Sequence, residues 1–152
     1  MKKGTSWPLA LVLLIAISAC GRRSTAPADS RAARAFLAFL TQSEAAFERA
    51  LGDFGAASTR RDAVGSRDAA RRALEAARTA RDRIEAYAAP EGLVPARREE
   101  LTFLNHVVPG LQAFVQGAGG RAEIDKLRLI LARGRTHQKR GRAWLWEAAA
   151  RE

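Results

Sequence analysis

Apolar side chains recur at intervals of three, four and seven residues along four long segments of the chain. This spacing is typical of amphipathic α-helices. It predicts helices at about 31–57, 60–88, 95–116 and 122–150, with Pro90 and Gly92 in the second connection and Gly117 to Gly120 in the third. No segment alternates between apolar and polar residues as a strand does, so the sequence predicts an all-α fold.

The first two predicted helices have complementary apolar faces. The first carries large side chains on one face, namely Phe36, Leu40, Phe47, Leu51 and Phe54. The second carries a heptad repeat made mostly of alanine, namely Ala63, Ala70, Ala73, Ala77, Ala80, Ile84 and Tyr87. Small side chains let a neighbouring helix approach closely, so we expect the phenylalanines to fill the alanine groove.

The third and fourth helices complete the predicted architecture. Pro109 lies in the middle of the third and should kink it or split it in two, because proline removes a backbone hydrogen bond. The seam of the fourth is small or polar in its middle, at Gly134, Gln138 and Gly141. Short connections favour an up-down-up-down four-helix bundle, and a three-helix bundle with one detached helix is the alternative.

Residues 1–19 have the layout of an export signal. Two lysines stand near the start, an apolar run extends from Leu9 to Ile17, and the small residues Ser18 and Ala19 follow. The apolar run is too short to span a bilayer, which takes about 20 such residues. We therefore interpret residues 1–19 as a cleaved signal peptide, 20–30 as a flexible tether and 31–152 as the helical bundle domain.

The sequence Ile17-Ser18-Ala19-Cys20 resembles the lipobox of bacterial lipoproteins, in which an aliphatic residue and two small residues precede a cysteine. The resemblance implies a diacylglyceryl group on Cys20, cleavage before it, and acylation of the new amino terminus with a fatty acid such as palmitate. Gly21 stands where aspartate favours inner-membrane retention in that family. This implies the periplasmic face of an outer membrane, if the organism has one. An ordinary signal peptide is the alternative.

The sequence holds no pattern typical of catalysis. Cys20 is the only cysteine, and neither His106 nor His137 has an acidic residue one helical turn away. There is no glycine-rich phosphate loop and no paired-histidine spacing. We therefore predict a non-enzymatic protein without a cofactor or metal. His106 has two interpretations. In the first it is half-buried and hydrogen-bonded to the backbone carbonyl that Pro109 leaves without a donor. In the second it is a metal ligand.

The fourth helix is strongly basic. The full chain has a formal charge of +10, and removing Lys2 and Lys3 with the signal leaves +8. Seven cations occur without an intervening acid, followed by Trp144 and Trp146: Lys126, Arg128, Arg133, Arg135, Lys139, Arg140 and Arg142. This combination favours contact with anionic lipid, lipopolysaccharide or a wall polymer through Arg133, Arg135, Lys139, Arg140 and Arg142. A solvated outer face is the alternative, and export argues against nucleic acid.

Together these patterns predict a lipid-anchored envelope protein that acts as a binding or structural module. A periplasmic carrier or chaperone for a small ligand or metal is the alternative. The sequence Leu101-Thr102-Phe103-Leu104-Asn105 is similar to the Leu-Thr-x-x-Gln motif of small helical periplasmic chaperones, with Asn105 in place of the glutamine.

Overall fold

A computed structural model describes residues 29–117 and 119–151. They form four α-helices, with a short 3₁₀ turn at Glu91–Leu93 before the third: α1 (Ser30–Thr59), α2 (Ala63–Ala86), α3 (Val94–Gln116) and α4 (Arg121–Ala149). No strand occurs in these residues. The predicted all-α class is confirmed, and the helix boundaries agree with the predicted ones to within about three residues.

The four helices close into a bundle. α1 packs on α2, α2 on α3, α3 on α4, and α4 returns to α1, with α1 and α4 making the least extensive of these contacts. The predicted four-helix bundle is confirmed, and the alternative with a detached helix is wrong. One end of the bundle, here called the proximal end, holds the starts of α1 and α3 and the ends of α2 and α4. There the Phe36 ring lies 4.7 Å from the Tyr87 ring.

Two aspartates define where the first helices begin. Asp29 Oδ1 accepts a hydrogen bond from the Arg31 backbone amide at 2.9 Å, and Asp62 Oδ1 accepts one from the Gly65 amide at 2.8 Å. Arg61 takes a left-handed conformation, with φ of +58°. The chain therefore turns at Arg61 and α2 begins at Ala63, three residues later than the spacing predicts. A side chain at Gly65 would overlap the Asp62 carboxylate.

The core between α1 and α2 is the one that the sequence predicts. The aromatic rings of Phe36 and Phe47 are fully buried, as are the alanines of the heptad repeat from Ala70 to Ala80. Ala63 is exposed at the first residue of α2, and Leu51 and Tyr87 are only partly buried. The Phe47 ring also reaches α3, where it meets Phe103 edge to face at 6.0 Å. The phenylalanines of α1 therefore join α2 and α3 in one core.

α3 and α4 approach closely because α4 carries glycines at their contact. A Cβ atom at Gly134 would lie 3.0 Å from the Phe103 ring, and one at Gly141 would lie 3.2 Å from the Ala96 carbonyl oxygen. Larger side chains at these two positions would push the helices apart. The small residues that interrupt the apolar seam of α4 are thus packing positions.

α3 runs without interruption from Val94 to Gln116, with Pro109 inside it. Of the two outcomes predicted for Pro109, a kink or a split, the split is therefore wrong. Pro109 lies on the exposed face of α3, and so does Asn105, whose carbonyl would otherwise accept a hydrogen bond from residue 109. Because this carbonyl faces water, the missing bond does not leave a buried polar group.

Cys20, the predicted signal peptide at 1–19 and the predicted tether up to residue 28 lie outside the described residues. Within the described ranges, no helix combines the length and the apolar character needed to cross a membrane.

Candidate functional site

A group of polar side chains lies inside the bundle where α4 faces α1 and α3. We call it the acid–arginine cluster; its members are Glu44, Glu48, Glu100, Arg135, Gln138 and Arg142. At its centre, Arg142 donates from Nε to Glu100 Oε1 at 2.7 Å and from Nη2 to Glu44 Oε2 at 2.8 Å. Gln138 Nε2 donates to Glu44 Oε2 at 2.8 Å. One arginine thus bridges carboxyl groups from two different helices.

The two central carboxyl groups are almost completely removed from water. Glu100 is 0% exposed and Glu44 is 2% exposed. Burial disfavours the charged form of Glu100 and the negative charge of Glu44 adds to this, so its pKa rises to about 8 in spite of Arg142. Burial likewise raises the pKa of Glu44, against the pull of Arg142. Both buried carboxyl groups therefore take up protons at a higher pH than a solvated glutamate does.

Two oxygens of the pair lack a hydrogen-bond partner. Glu44 Oε1 and Glu100 Oε2 are both buried and receive no hydrogen bond in the described residues. A proton on one of the carboxyl groups would remove the like-charge repulsion that two neighbouring carboxylates suffer.

Arg135 extends the cluster toward solvent. Its Nη1 and Nη2 atoms donate to the two oxygens of Glu48 at 2.7 and 2.5 Å, and Nη1 also donates to Gln138 Oε1. The guanidinium carbon lies 5.4 Å from the centre of the Phe103 ring, in a cation–π contact. A shallow groove of about 410 Å³ between α1 and α4 reaches the cluster from solvent. The arginines in it are already bound by carboxylates, so the cluster joins helices.

The five cations predicted to contact an anionic surface do not share one face. Arg135 and Arg142 belong to the acid–arginine cluster, where carboxylates of α1 and α3 bind them. Arg133, Lys139 and Arg140 are exposed, and they have no acidic partner among the described residues. The structure thus leaves three of the five available to an external partner. Helical spacing places Arg133 and Arg140 on one strip, seven residues apart, and Lys139 on the other flank of α4.

The two histidines, which lie far apart in the sequence, meet across α3 and α4. Their rings are nearly parallel, with centres 5.4 Å apart. His137 Nδ1 lies 2.7 Å from Glu99 Oε2, and His106 Nδ1 lies 2.8 Å from the Thr102 carbonyl oxygen. His106 is exposed rather than half-buried. Its carbonyl partner belongs to Thr102, whereas the carbonyl that Pro109 leaves without a donor belongs to Asn105. Sequence spacing missed the Glu99 contact because the partners are on different helices.

These histidines do not complete a recognisable metal site. Over residues 29–117 and 119–151, no group of three or more His, Cys, Asp and Glu side chains is arranged to hold a metal ion. No observation on the described residues therefore favours a metal carrier.

A second groove, of about 530 Å³, lies between α3 and α4 at the proximal end. We call it the α3–α4 groove. Val94, Pro95 and Trp144 provide apolar walls, while Arg98 and Arg140 supply positive charge. Glu91 and Glu99 also line it, and Glu99 is engaged by His137. The groove is therefore amphipathic.

A third cleft, of about 620 Å³, lies at the opposite end of the bundle, between the α1–α2 turn and the start of α4. It carries charges of both signs, from Arg61, Arg121, Asp62 and Asp125 among others. It has no apolar wall comparable to the tryptophan and proline of the α3–α4 groove.

No protein-family model matches the chain, no curated protein matches it in sequence, and no solved structure matches it. The function must therefore be inferred from the residues themselves.

Proposed function

We propose that the protein is a lipid-anchored module of the bacterial envelope that contacts an anionic surface through the exposed cations of α4. The supporting observation is the state of Arg133, Lys139 and Arg140, which face solvent without an acidic partner among the described residues. Some surface cations are paired, as Arg72 is with Asp53 at 3.1 Å, and others such as Arg49 and Arg60 are not paired within the described ranges. What distinguishes α4 is that its three cations lie within eight residues that contain no acid. Unpaired surface cations are the ones free to meet an external anion.

The proposed anchor is Cys20, on the basis of its lipobox resemblance. The segment from Cys20 to Asp29 contains ten residues, so even fully extended it spans at most about 35 Å. Asp29 caps α1 at the proximal end, which also holds the end of α4. An anchor on Cys20 would therefore hold this end of the bundle close to the membrane surface.

The two contributions complement each other physically. Acyl chains supply stable attachment, and basic residues near an anionic surface each add about 1 kcal/mol. Three such cations are thus worth about 3 kcal/mol at low ionic strength, or roughly 100-fold in affinity. This contribution should decrease as salt screens it.

Vesicle binding tests the proposal. Residues 20–152 contain every described helix, and a Cys20→Ser variant removes the acylation site. In this background, Arg133→Gln, Lys139→Gln and Arg140→Gln together should weaken salt-sensitive binding to phosphatidylglycerol vesicles by about 10- to 100-fold. The measurement is cosedimentation across a salt series.

The control removes the same charge elsewhere. Arg49, Arg60 and Arg78 are equally exposed, on α1, its C-terminal cap and α2. Replacing these three with glutamine should lower binding by no more than about threefold through the change in net charge. Equal losses in the two triple variants would reject α4 as the contact surface, and unchanged binding in the α4 variant would reject the proposal.

A further inference from the structure

The α3–α4 groove combines features that the cations of α4 do not explain. Large apolar side chains usually avoid solvent, yet Val94 is 43% exposed at the rim of this groove. Trp144 is only half-buried and forms part of the same wall. Trp144 packs in part against the core, whose residues Ala96 and Leu145 are at most 1% exposed, and the rest of this apolar surface faces the groove.

The charge beside these walls is suited to an anion. Arg98 and Arg140 are both exposed and line the groove. Neither has a carboxylate partner among the described residues. Glu91 and Glu99 also line the groove, and Glu99 is hydrogen-bonded to His137, so the lining holds two carboxylates and two guanidinium groups. The two guanidinium groups are the ones beside the apolar wall that are available to an anionic headgroup.

The position of the groove indicates which amphiphile it meets. Val94 opens α3 and Trp144 lies near the end of α4, so both are at the proximal end. α1 also begins there, after a segment of ten residues that starts at Cys20. An acyl anchor on Cys20 would thus keep this end within about 35 Å of the lipid headgroups.

We infer that the α3–α4 groove binds an anionic glycerophospholipid of the membrane on which the bundle is anchored. The phosphate lies against Arg98 and Arg140, and the upper part of an acyl chain lies against Val94, Pro95 and Trp144. A volume of about 530 Å³ is within the usual range for a site that takes part of a small amphiphile. This inference rests on the proposed function and adds a defined partner and contact site.

Tryptophan fluorescence tests the inference because residues 20–152 contain two tryptophans, Trp144 and Trp146. Trp146 is 66% exposed and lies two residues on, about 200° further around the helix, outside the groove. Trp146→Phe leaves Trp144 as the reporter in the groove. Trp144→Phe leaves Trp146 as a matched reporter on the same helix at the same end.

Both variants, in the Cys20→Ser background, are mixed with phosphatidylglycerol vesicles whose acyl chains carry bromine, which quenches tryptophan on contact. We expect Trp144 to shift to the blue and lose about half or more of its emission, because it lies at the acyl boundary. Trp146 should keep most of its emission. Quenching of Trp146 as strong as that of Trp144 would indicate end-on insertion and overturn the groove as the site.

A variant of the groove separates this inference from the proposed function. Val94→Glu places an acid at the first residue of α3, where the helix dipole favours it, so folding should be unaffected. It should abolish the quenching of Trp144 while cosedimentation falls by no more than about threefold. Wild-type binding to vesicles without quenching of Trp144 would overturn this inference and leave the proposed function in place. Absence of any vesicle binding would reject both.

A second copy of the chain is the other occupant that the experiment detects. If Trp144 shifts to the blue as protein concentration rises without vesicles, the groove is a self-association surface and the lipid assignment is wrong.

Discussion

The α1–α2 contact and the contacts of α4 with α1 and α3 hold the same bundle together by different physical means. Between α1 and α2, aromatic rings such as Phe36 and Phe47 fill a groove lined by alanines. Around α4, much of the interior consists of glycine, Gln138 and Arg142, and the partner helices contribute Glu44 and Glu100. The first contact is apolar and nondirectional. The second combines apolar residues such as Leu127 and Leu145 with a polar cluster whose hydrogen bonds depend on atomic positions.

This difference indicates how the position of α4 relative to the other helices is determined. Apolar burial is nondirectional and supplies most of the stability. A buried network of charges costs desolvation and adds little net stability, although it is strongly unfavourable to break. We therefore expect the acid–arginine cluster to fix how α4 sits against α1 and α3, since sliding α4 by one turn would leave buried carboxyl groups without Arg142.

The largest expected effect is the loss of the cation at the centre of the cluster. Arg142→Met leaves Glu44 and Glu100 buried without their shared guanidinium, and such a break costs about 3–5 kcal/mol. The free energy of unfolding, measured by urea denaturation at pH 8, should fall by this amount. The fall should be smaller at pH 5, because protonation of Glu100 lessens the buried charge that has lost its partner.

Two variants serve as controls for Arg142→Met. Arg140→Met makes the same change at an exposed position two residues away and should alter stability by less than about 0.5 kcal/mol. Replacing Glu44, Glu100 and Arg142 together with methionine removes the whole network and should restore most of the stability. If Arg142→Met is no worse than Arg140→Met, the cluster does not join the helices.

The next largest effect is the pH dependence that Glu100 imposes on folding. Its pKa is raised from 4.5 to about 8 in the folded state, so between these values the folded chain holds a proton that the unfolded chain releases. The free energy of unfolding should therefore decrease by a few kcal/mol as pH rises from about 5 to 8, and then level off. Thermal unfolding followed by circular dichroism across this range measures it.

Glu100→Gln tests the origin of this pH dependence. Glutamine keeps the shape of the protonated acid but does not titrate. The variant should lose most of the slope, while Glu75→Gln, at an exposed site on α2, should retain it. An unchanged slope in Glu100→Gln would assign the pH dependence to another group.

The two contacts also differ in how far the sequence predicts them. The alanine repeat of α2 and the phenylalanines of α1 follow helical periodicity, so their burial was predictable from spacing. Glu44, Glu100 and Arg142 are charged residues, which periodicity assigns to the surface. Their burial depends on which helices meet and at what height, and no local pattern encodes that.

The same reason explains which predictions for α4 needed the structure. An acid-free run of seven cations resembles a uniform basic face when read along the chain. The structure divides it, because the partners of Arg135 and Arg142 lie on α1 and α3, some 40 to 100 residues away in sequence. Arg133, Lys139 and Arg140 have no such partners among the described residues. Likewise, Val94 and Trp144 are distant in sequence, and only the packing of α3 on α4 places them in the same groove.

The smallest of the three effects probes the apolar contact. Ala77 is fully buried where α2 meets its neighbours, so Ala77→Leu inserts extra atoms into a closely packed seam. Overpacking of this kind typically costs about 1–3 kcal/mol, less than breaking the charged network. Ala46→Leu makes the same change at an exposed position in the middle of α1 and should be nearly neutral. Both can be compared by urea denaturation. If Ala77→Leu proves more damaging than Arg142→Met, the apolar seam rather than the acid–arginine cluster is the part of the bundle that least tolerates change.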